Sequence, residues 1–307
     1  MIRIITYIAM YIALTVASHA QTTFEQIMIK NGEVELPGTL TASPDAEHLI
    51  IWIHGSGNVD RDGNQAGANI KADYIKQVRT ALNREDLAFF SYDKRTSNPK
   101  NAQNFANIVF ESFVEDAQKV IAHFKKENKY KSITLVGHSQ GSLVAMLASE
   151  GVDKYISLAG PGFRIDNAIV EQVSAQDATL GKAAESHFKE LEETGDIKEV
   201  NPLLVSIFAK PNYPFLKSWI QYDPTEEIKK MKIPTLIING DKDLQIKVKD
   251  AKALKEAKPD AGLVIIENMN HVLKVIEKDS DNYPSYFSPD FKVSPELIKT
   301  ISEFVKK

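Results

Sequence analysis

The chain has 307 residues, of which 43% are hydrophobic and 25% are charged, so it can bury one sizeable core. Its formal net charge of −4 at pH 7 gives no electrostatic reason to expect nucleic acid as a partner. It contains no cysteine, which excludes disulfides, a thiol nucleophile and thiolate metal sites.

The beginning of the chain has the pattern of a secretory signal peptide, which predicts removal of residues 1–20. A basic residue precedes an apolar run at 4–17, and Ser18 and Ala20 are the small residues that signal peptidase requires. We therefore expect residues 21–307 to be exported, either to the periplasm or out of the cell, where a cysteine-free chain avoids unwanted oxidation. The alternative is an uncleaved membrane anchor, for which the apolar run is short. No later segment is apolar enough to span a membrane.

Residues 21–307 alternate between short apolar runs and helical patterns. Turn residues near 31–38 predict a hairpin or a meander first. Strands buried on both faces of a sheet have continuous apolar sequences, and such runs end at Ile53, Tyr92, Val136, Ala159, Ile238 and Ile266. Crossover helices are predicted within 69–85, 105–129 and 140–150. This alternation predicts an α/β protein with a mostly parallel sheet covered by helices on both faces.

One long segment, at about 163–232, has no strand pattern. Apolar residues at helical spacing and several prolines occur in it, which predicts a helical cap inserted in the sheet domain. An ordinary surface excursion is the alternative, but such excursions are uncommon at this length. We expect this segment to cover the functional site.

The strongest chemical signal is Gly137-His138-Ser139-Gln140-Gly141, which follows one apolar run and opens a helical pattern. A serine between a strand and a helix, flanked by glycines that permit a tight turn, is typical of a nucleophile elbow. The alternative is a plain tight turn. In the elbow, the backbone N–H of Gln140 lies at a helix N-terminus, where it can stabilise negative charge.

A serine nucleophile needs a base, and His271 is in the loop after the last apolar run, where a base can reach the sheet's C-terminal edge. An acid must orient that base. Asp241 and Asp243 both follow the run ending at Ile238. We favour Asp243, because the chain needs a few residues after Gly240 to return over the sheet edge, and expect Asp241 to bind loop amides.

An oxyanion hole is predicted at His54-Gly55-Ser56-Gly57, where two glycines let backbone amides approach a developing charge. We assign the second donor to the backbone N–H of Ser56. A phosphate-binding loop is the competing interpretation, but no Gly-Lys-Ser/Thr sequence follows.

Together these residues resemble the α/β-hydrolase superfamily. Residues 54–63 match an H-G-S-G-x-x-D-R-D-G loop, and with Tyr92-Asp93-Lys94-Arg95 and Asn270-His271 they are similar to a group of bacterial carboxylesterases that are often exported. The resemblance implies the order Ser139, Asp243, His271 for nucleophile, acid and base, and it implies no cofactor. The chain departs from the group at Thr96-Ser97-Asn98-Pro99, where the group often has glycine-containing turns. Asp60-Arg61-Asp62 is interpreted as a structural latch of the oxyanion loop in preference to a substrate contact.

Three functions are consistent with the sequence. The first is a carboxylesterase acting on small-molecule esters with short acyl groups, without a metal. The second is a serine aminopeptidase or another acyl hydrolase with the same triad, which would need acidic residues in the pocket; Glu171, Glu192, Glu193 and Glu199 in the predicted cap are available. The third, a non-catalytic binding protein, is disfavoured because every part of a hydrolase site is present.

Overall fold

A computed structural model of the chain describes residues 22–105 and 108–307. The signal peptide predicted on residues 1–20 lies outside these residues. No helix in the described part of the chain is long and apolar enough to cross a membrane.

An eight-stranded sheet runs through the molecule. Its strands are β1 (Thr23–Asn31), β2 (Val34–Ala42), β3 (His48–Ile53), β6 (Ala88–Tyr92), β7 (Ser132–His138), β8 (Lys154–Leu158), β9 (Thr235–Gly240) and β10 (Gly262–Ile266). The spatial order is β1-β2-β6-β3-β7-β8-β9-β10. Strands β1 and β2 pair antiparallel and form the predicted hairpin, and β2 also pairs antiparallel with β6. In the spatial order from β6 to β10, every neighbouring pair is parallel. The prediction of a mostly parallel sheet is thus confirmed.

Helices cover both faces of this sheet, because alternate residues of each buried strand point to opposite sides. On one side, Leu49 and Ile51 of β3 pack with α2 (Phe110–Glu127), α3 (Gln140–Ala148) and α9 (Val248–Ala257). On the other side, Ile50 and Trp52 pack with α1 (Tyr74–Asn83) and α11 (Pro295–Lys306). The three predicted crossover helices correspond to α1, α2 and α3.

The segment predicted as a cap lies between β8 and β9 and forms five α-helices. They are α4 (Ile165–Gln176), α5 (Ala178–Thr194), α6 (Val205–Phe208), α7 (Tyr213–Trp219) and α8 (Pro224–Lys230). Phe188, Leu191 and Phe208 belong to a separate apolar cluster of this segment. Trp219 of α7 stacks on Phe110 of α2 with ring centroids 5.3 Å apart, which attaches the segment to the sheet domain.

Two further elements were not predicted from the sequence. A two-stranded ribbon of β4 (Asn64–Gln65) and β5 (Ile70–Lys71) follows β3, and a short helix, α10 (Asp279–Ser285), follows β10. Each belongs to a connection that follows the carboxyl end of a parallel strand, β3 for the ribbon and β10 for the helix.

We expect Gly141→Ala to destabilise the fold, because Gly141 of α3 packs directly against backbone at the end of β3. An added Cβ would overlap the carbonyl oxygens of Ile53 and His54. Overpacking of this kind costs about 1–3 kcal/mol, which urea unfolding monitored by circular dichroism would measure. The matched control is Gly67→Ala, where a Cβ meets no atom within 4 Å. Equal unfolding midpoints for the two variants would contradict this account.

Candidate active site

Ser139 occupies the junction between β7 and α3, in a conformation that few side chains tolerate. Its φ is 55° and its ψ is −126°, a strained backbone for a residue other than glycine. The turn is held by two backbone hydrogen bonds: Ser139 N–H donates to Leu158 O of β8 (3.0 Å), and Ser142 N–H donates to Ser139 O (2.9 Å). The serine side chain therefore projects from the carboxyl edge of the sheet.

The loop after β3 passes immediately beside this serine. A Cβ on Gly55 would lie only 3.1 Å from Ser139 Cβ, so glycine permits the close approach. Ser56 follows and lines the cavity that contains Ser139. Gln140 is the first residue of α3, where a backbone N–H has no partner within its own helix. The two predicted oxyanion donors thus flank the serine.

Asp243 and His271 are joined by a hydrogen bond, although they come from different loops. His271 Nδ1 lies 2.8 Å from Asp243 Oδ2, and both side chains are buried. The other carboxylate oxygen of Asp243 accepts hydrogen bonds from the backbone N–H groups of Gln245 (2.7 Å) and Ile246 (2.9 Å). Because Asp243 accepts all three hydrogen bonds, its carboxylate is fixed in direction. His271 and Ser139 line one cavity.

Two neighbouring side chains hold the turn that carries His271. His138 Nε2–H donates to the backbone oxygen of His271 (2.8 Å), an assignment of the tautomer that follows from its acceptor. Burial lowers the pKa of His138 to about 3, so this imidazole stays neutral. Asn270 Nδ2 donates to Ser285 Oγ (2.7 Å) and its Oδ1 accepts from Lys274 N–H (3.0 Å). The sequence indicated Asn270 only through the family resemblance.

Asp241, the alternative acid, and His54, at the start of the loop after β3, have surroundings that differ from those of Asp243 and His271. Asp241 Oδ1 accepts from the backbone N–H of Asn268 (2.7 Å), as expected of a residue that binds loop amides. His54 is buried edge-to-face on Tyr92, with ring centroids 5.0 Å apart, and burial lowers its pKa to about 3. Among the described residues, His271 Nδ1 bonds to Asp243 and to neither of these two groups.

The Asp60-Arg61-Asp62 segment forms a network within the protein. Asp60 Oδ1 accepts from the backbone N–H groups of Asp62 (2.9 Å) and Asn64 (2.8 Å). Arg61 forms a two-pronged ion pair with Asp93 (2.8 Å for each bond), and Asp62 pairs with Arg79. These charges therefore attach the loop after β3 to Asp93 and Arg79, which is the structural arrangement that the latch interpretation predicts.

The cavity beside Ser139 has a volume of about 430 Å³ and is largely apolar. Its walls include the aromatic side chains Tyr74, Tyr283, Tyr286 and Phe287. None of its lining residues belongs to residues 163–232; its walls include the β4–β5 ribbon, α10 and the residues just after it. Phe215 and Trp219 of that segment line a neighbouring cavity together with Ser56 and Gln140. The expectation that the segment covers the functional site stays a prediction. The cap-segment aromatics Phe208 and Tyr213 pack in that segment's own core.

A buried lysine, to which the sequence gave no role, contacts the loop after β3 and the start of α3. Lys94 Nζ donates to Gly55 O (2.8 Å) and to Gln140 Oε1 (2.7 Å). It lies 4.3 Å from the centroid of the Phe113 ring, a cation–π contact. The available signal was the Y-D-K-R resemblance, which gave Lys94 no role. Among the described residues, no group of three or more His, Cys, Asp or Glu side chains is arranged to hold a metal ion.

Comparison with solved structures agrees with this architecture. Est1E from Butyrivibrio proteoclasticus, in a structure with ferulic acid bound, is 18% identical with a TM-score of 0.56, over 91% of this chain and 96% of that one. The Pyrococcus furiosus esterase Pf2001 is 16% identical with a TM-score of 0.59, over 96% and 95% of the two chains. The sheet, its covering helices and these likenesses define the chain as an α/β-hydrolase fold.

A family model described as BD-FAE matches residues 40–257, which is more than half of the chain. The chain belongs to this family. Among curated proteins, esterase EstD from Thermotoga maritima is 24% identical over 280 residues, which make up 89% of this chain and 66% of EstD. The chain thus spans just under two thirds of the length of that relative.

We expect Asp243→Asn to lower activity far more than Asp241→Asn. A carboxamide at 243 would hold the wrong tautomer of His271, and such a change costs about 10⁴-fold in kcat in a well-studied triad. Asp241 contacts only a loop amide, so its variant is the matched control and should lose less than about tenfold, because one surface loop bond is worth little. Measured kcat values for ester hydrolysis decide the ranking; the reverse order would assign the acid to Asp241.

Proposed function

We propose that this protein is a serine carboxylesterase that hydrolyses small-molecule esters through an acyl-enzyme on Ser139. His271 is the general base, Asp243 orients it, and the backbone N–H groups of Ser56 and Gln140 form the oxyanion hole. The hydrogen bond between His271 and Asp243, in a cavity shared with a strained serine, supports these roles.

Acylation begins when Ser139 Oγ attacks the ester carbonyl carbon and its proton passes to His271 Nε2. The carbonyl oxygen becomes an oxyanion that accepts hydrogen bonds from the two amides. Asp243 stabilises the resulting imidazolium, and His271 then gives the proton to the leaving alkoxide as the C–O bond breaks. Deacylation repeats these steps with water, which His271 activates, and releases the carboxylic acid and free Ser139.

The uncharged character of the cavity is the observation that favours an esterase over an aminopeptidase. The described residues that line it include two histidines, His138 and His271, and none of them is Asp, Glu, Lys or Arg. An aminopeptidase needs an anion to bind the substrate's ammonium group. Of the acidic residues considered for that task, Glu171 pairs with Lys249 and Glu192 with Arg164, away from the cavity lining. A neutral ester therefore suits these walls better than a substrate with an ammonium group does.

The aromatic walls favour a second candidate substrate, an ester of an aromatic acid. Tyr283 and Phe287 lie with ring centroids 5.2 Å apart and both are exposed at the cavity. A planar acyl group can stack on such rings. Est1E, which binds ferulic acid in its structure, provides a precedent within the same fold.

We expect the purified protein to hydrolyse p-nitrophenyl esters of short acyl chains, with kcat/KM falling as the chain lengthens. Each methylene that finds apolar wall gains only about 0.8 kcal/mol, and further ones meet the end of the cavity. The panel should include a feruloyl ester and aminoacyl p-nitroanilides. Ser139→Ala is the control and should reduce kcat by about 10⁴-fold or more, since triad members act as a unit. Preference for aminoacyl amides over every ester would replace the proposal with an aminopeptidase.

We further propose that the protein is exported and acts in the periplasm or outside the cell. The pattern of residues 1–20 supports this, with cleavage after Ala20. Mass spectrometry of the protein from its native host should find a chain that begins at Gln21 in an exported fraction. An intact Met1 in a cytosolic fraction would contradict export.

A further inference from the structure

Lys94 contacts Gln140, one of the two proposed oxyanion donors, and Gly55, the residue before the other donor, Ser56. It follows β6, its side chain is 6% exposed, and its Nζ donates to Gly55 O and Gln140 Oε1. Its own backbone N–H also donates to Val59 O (3.1 Å) in the same loop. One cation thus joins the loop after β3 to the start of α3.

The bond to Gly55 acts directly on one oxyanion donor. The carbonyl of Gly55 and the N–H of Ser56 belong to the same planar peptide group. A cation bonded to that carbonyl fixes the direction of the N–H and polarises the amide, which strengthens its donation on the opposite side. The bond to the Gln140 side chain holds the residue whose N–H is the other donor.

Among the described residues, no carboxylate forms an ion pair with the Lys94 ammonium, whose partners are Gly55 O and Gln140 Oε1. Asp116 faces it from α2 but pairs with Arg95 through two bonds of 2.7 Å, and Asp93 pairs with Arg61. The remaining titratable neighbours are His54, whose pKa is lowered, and Tyr92, whose pKa is raised, both by burial. Both are therefore neutral near pH 7, and the nearby anion that forms during turnover is the oxyanion itself.

We propose that Lys94 is a positioning residue of the oxyanion hole, which orients and polarises its two amides and favours the oxyanion over the neutral ester. The inference rests on the proposed esterase function. Because a neutral ester gains little from this charge and the tetrahedral intermediate gains much, Lys94 acts on kcat more than on KM.

The first test compares Lys94→Met with Lys94→Arg, using p-nitrophenyl acetate. Removing a direct oxyanion donor costs about 10²–10³-fold in kcat, so loss of a group acting through the donors should cost about 10- to 100-fold. We expect that loss for Lys94→Met with KM changed less than about threefold. Lys94→Arg keeps the charge and should retain more activity than Lys94→Met.

The control is Lys258→Met, which removes another buried lysine that donates to a carbonyl, Met231 O, and that also pairs with Asp260, next to the amino end of β9. It should leave kcat unchanged. Equal kcat in the Lys94→Met and Lys258→Met variants, or a change at Lys94 confined to KM, would overturn the proposal. Activity that survives Ser139→Ala would instead overturn the esterase mechanism itself, so the two failures are distinguishable.

The second test is the pH profile of the wild-type protein, which does not depend on whether a variant folds. Burial lowers the pKa of Lys94 to about 7. As pH rises through this value the ammonium loses its proton, so kcat/KM should fall on the alkaline side while circular dichroism stays constant. Lys94→Arg should lack this alkaline fall, since guanidinium stays charged. A kcat/KM that stays constant to pH 11 in the folded wild type would overturn the requirement for the charge.

Discussion

The strained turn at Ser139 is the constraint on which the other parts of the site depend. A non-glycine residue in such a conformation costs on the order of 1–3 kcal/mol and persists only when its surroundings hold it. Here β7 lies between β3 and β8, its end is bonded to Leu158, and Gly141 packs against the backbone that ends β3. The packing of Gly141 against the end of β3 holds the turn and also places the loop after β3 beside the serine. One contact therefore stabilises the strained turn and positions the proposed oxyanion hole.

Parallel strand direction explains why residues distant in the chain converge. The loops that follow β3, β7, β9 and β10 all leave the same edge of the sheet, and they carry Ser56, Ser139, Asp243 and His271. Crossover helices occupy the faces, which leaves this edge free for a site. The buried histidine of the elbow then links two of these loops, since His138 holds the backbone of His271.

The parallel sheet was predicted because each strand is encoded locally by a run of a few apolar residues. The roles of Ser139 and Asp243 stay predictions, made from equally local patterns, beside which the structure has a strained junction at Ser139 and a hydrogen bond between Asp243 and His271. The walls of the cavity were not predicted, because Tyr74 and Tyr283 are far apart in the chain and come to line one cavity only after folding. In the sequence each has the pattern of an ordinary core or surface aromatic residue. The aromatic residues of the cap segment divide between two places that the sequence did not separate: Phe208 and Tyr213 pack in the segment's own core, whereas Phe215 and Trp219 line a cavity with Ser56. Lys94 was missed because one lysine after a strand has the pattern of a solvated residue.

Burial separates the ionisable groups around the site into those that stay neutral and those that carry charge. His54 and His138 both have pKa values lowered to about 3, so neither competes with His271 for the proton of the serine. The carboxylates of Asp62, Asp93 and Asp116 are each matched by an arginine. Asp243 is bonded to His271, and Lys94 is bonded to Gly55 in the loop after β3. In the proposed mechanism the carboxylate stabilises the imidazolium, and the ammonium acts on the peptide group that donates to the oxyanion. Such fixed charges favour the separation of charge in the proposed acylation, and they do so without reorganisation during the reaction.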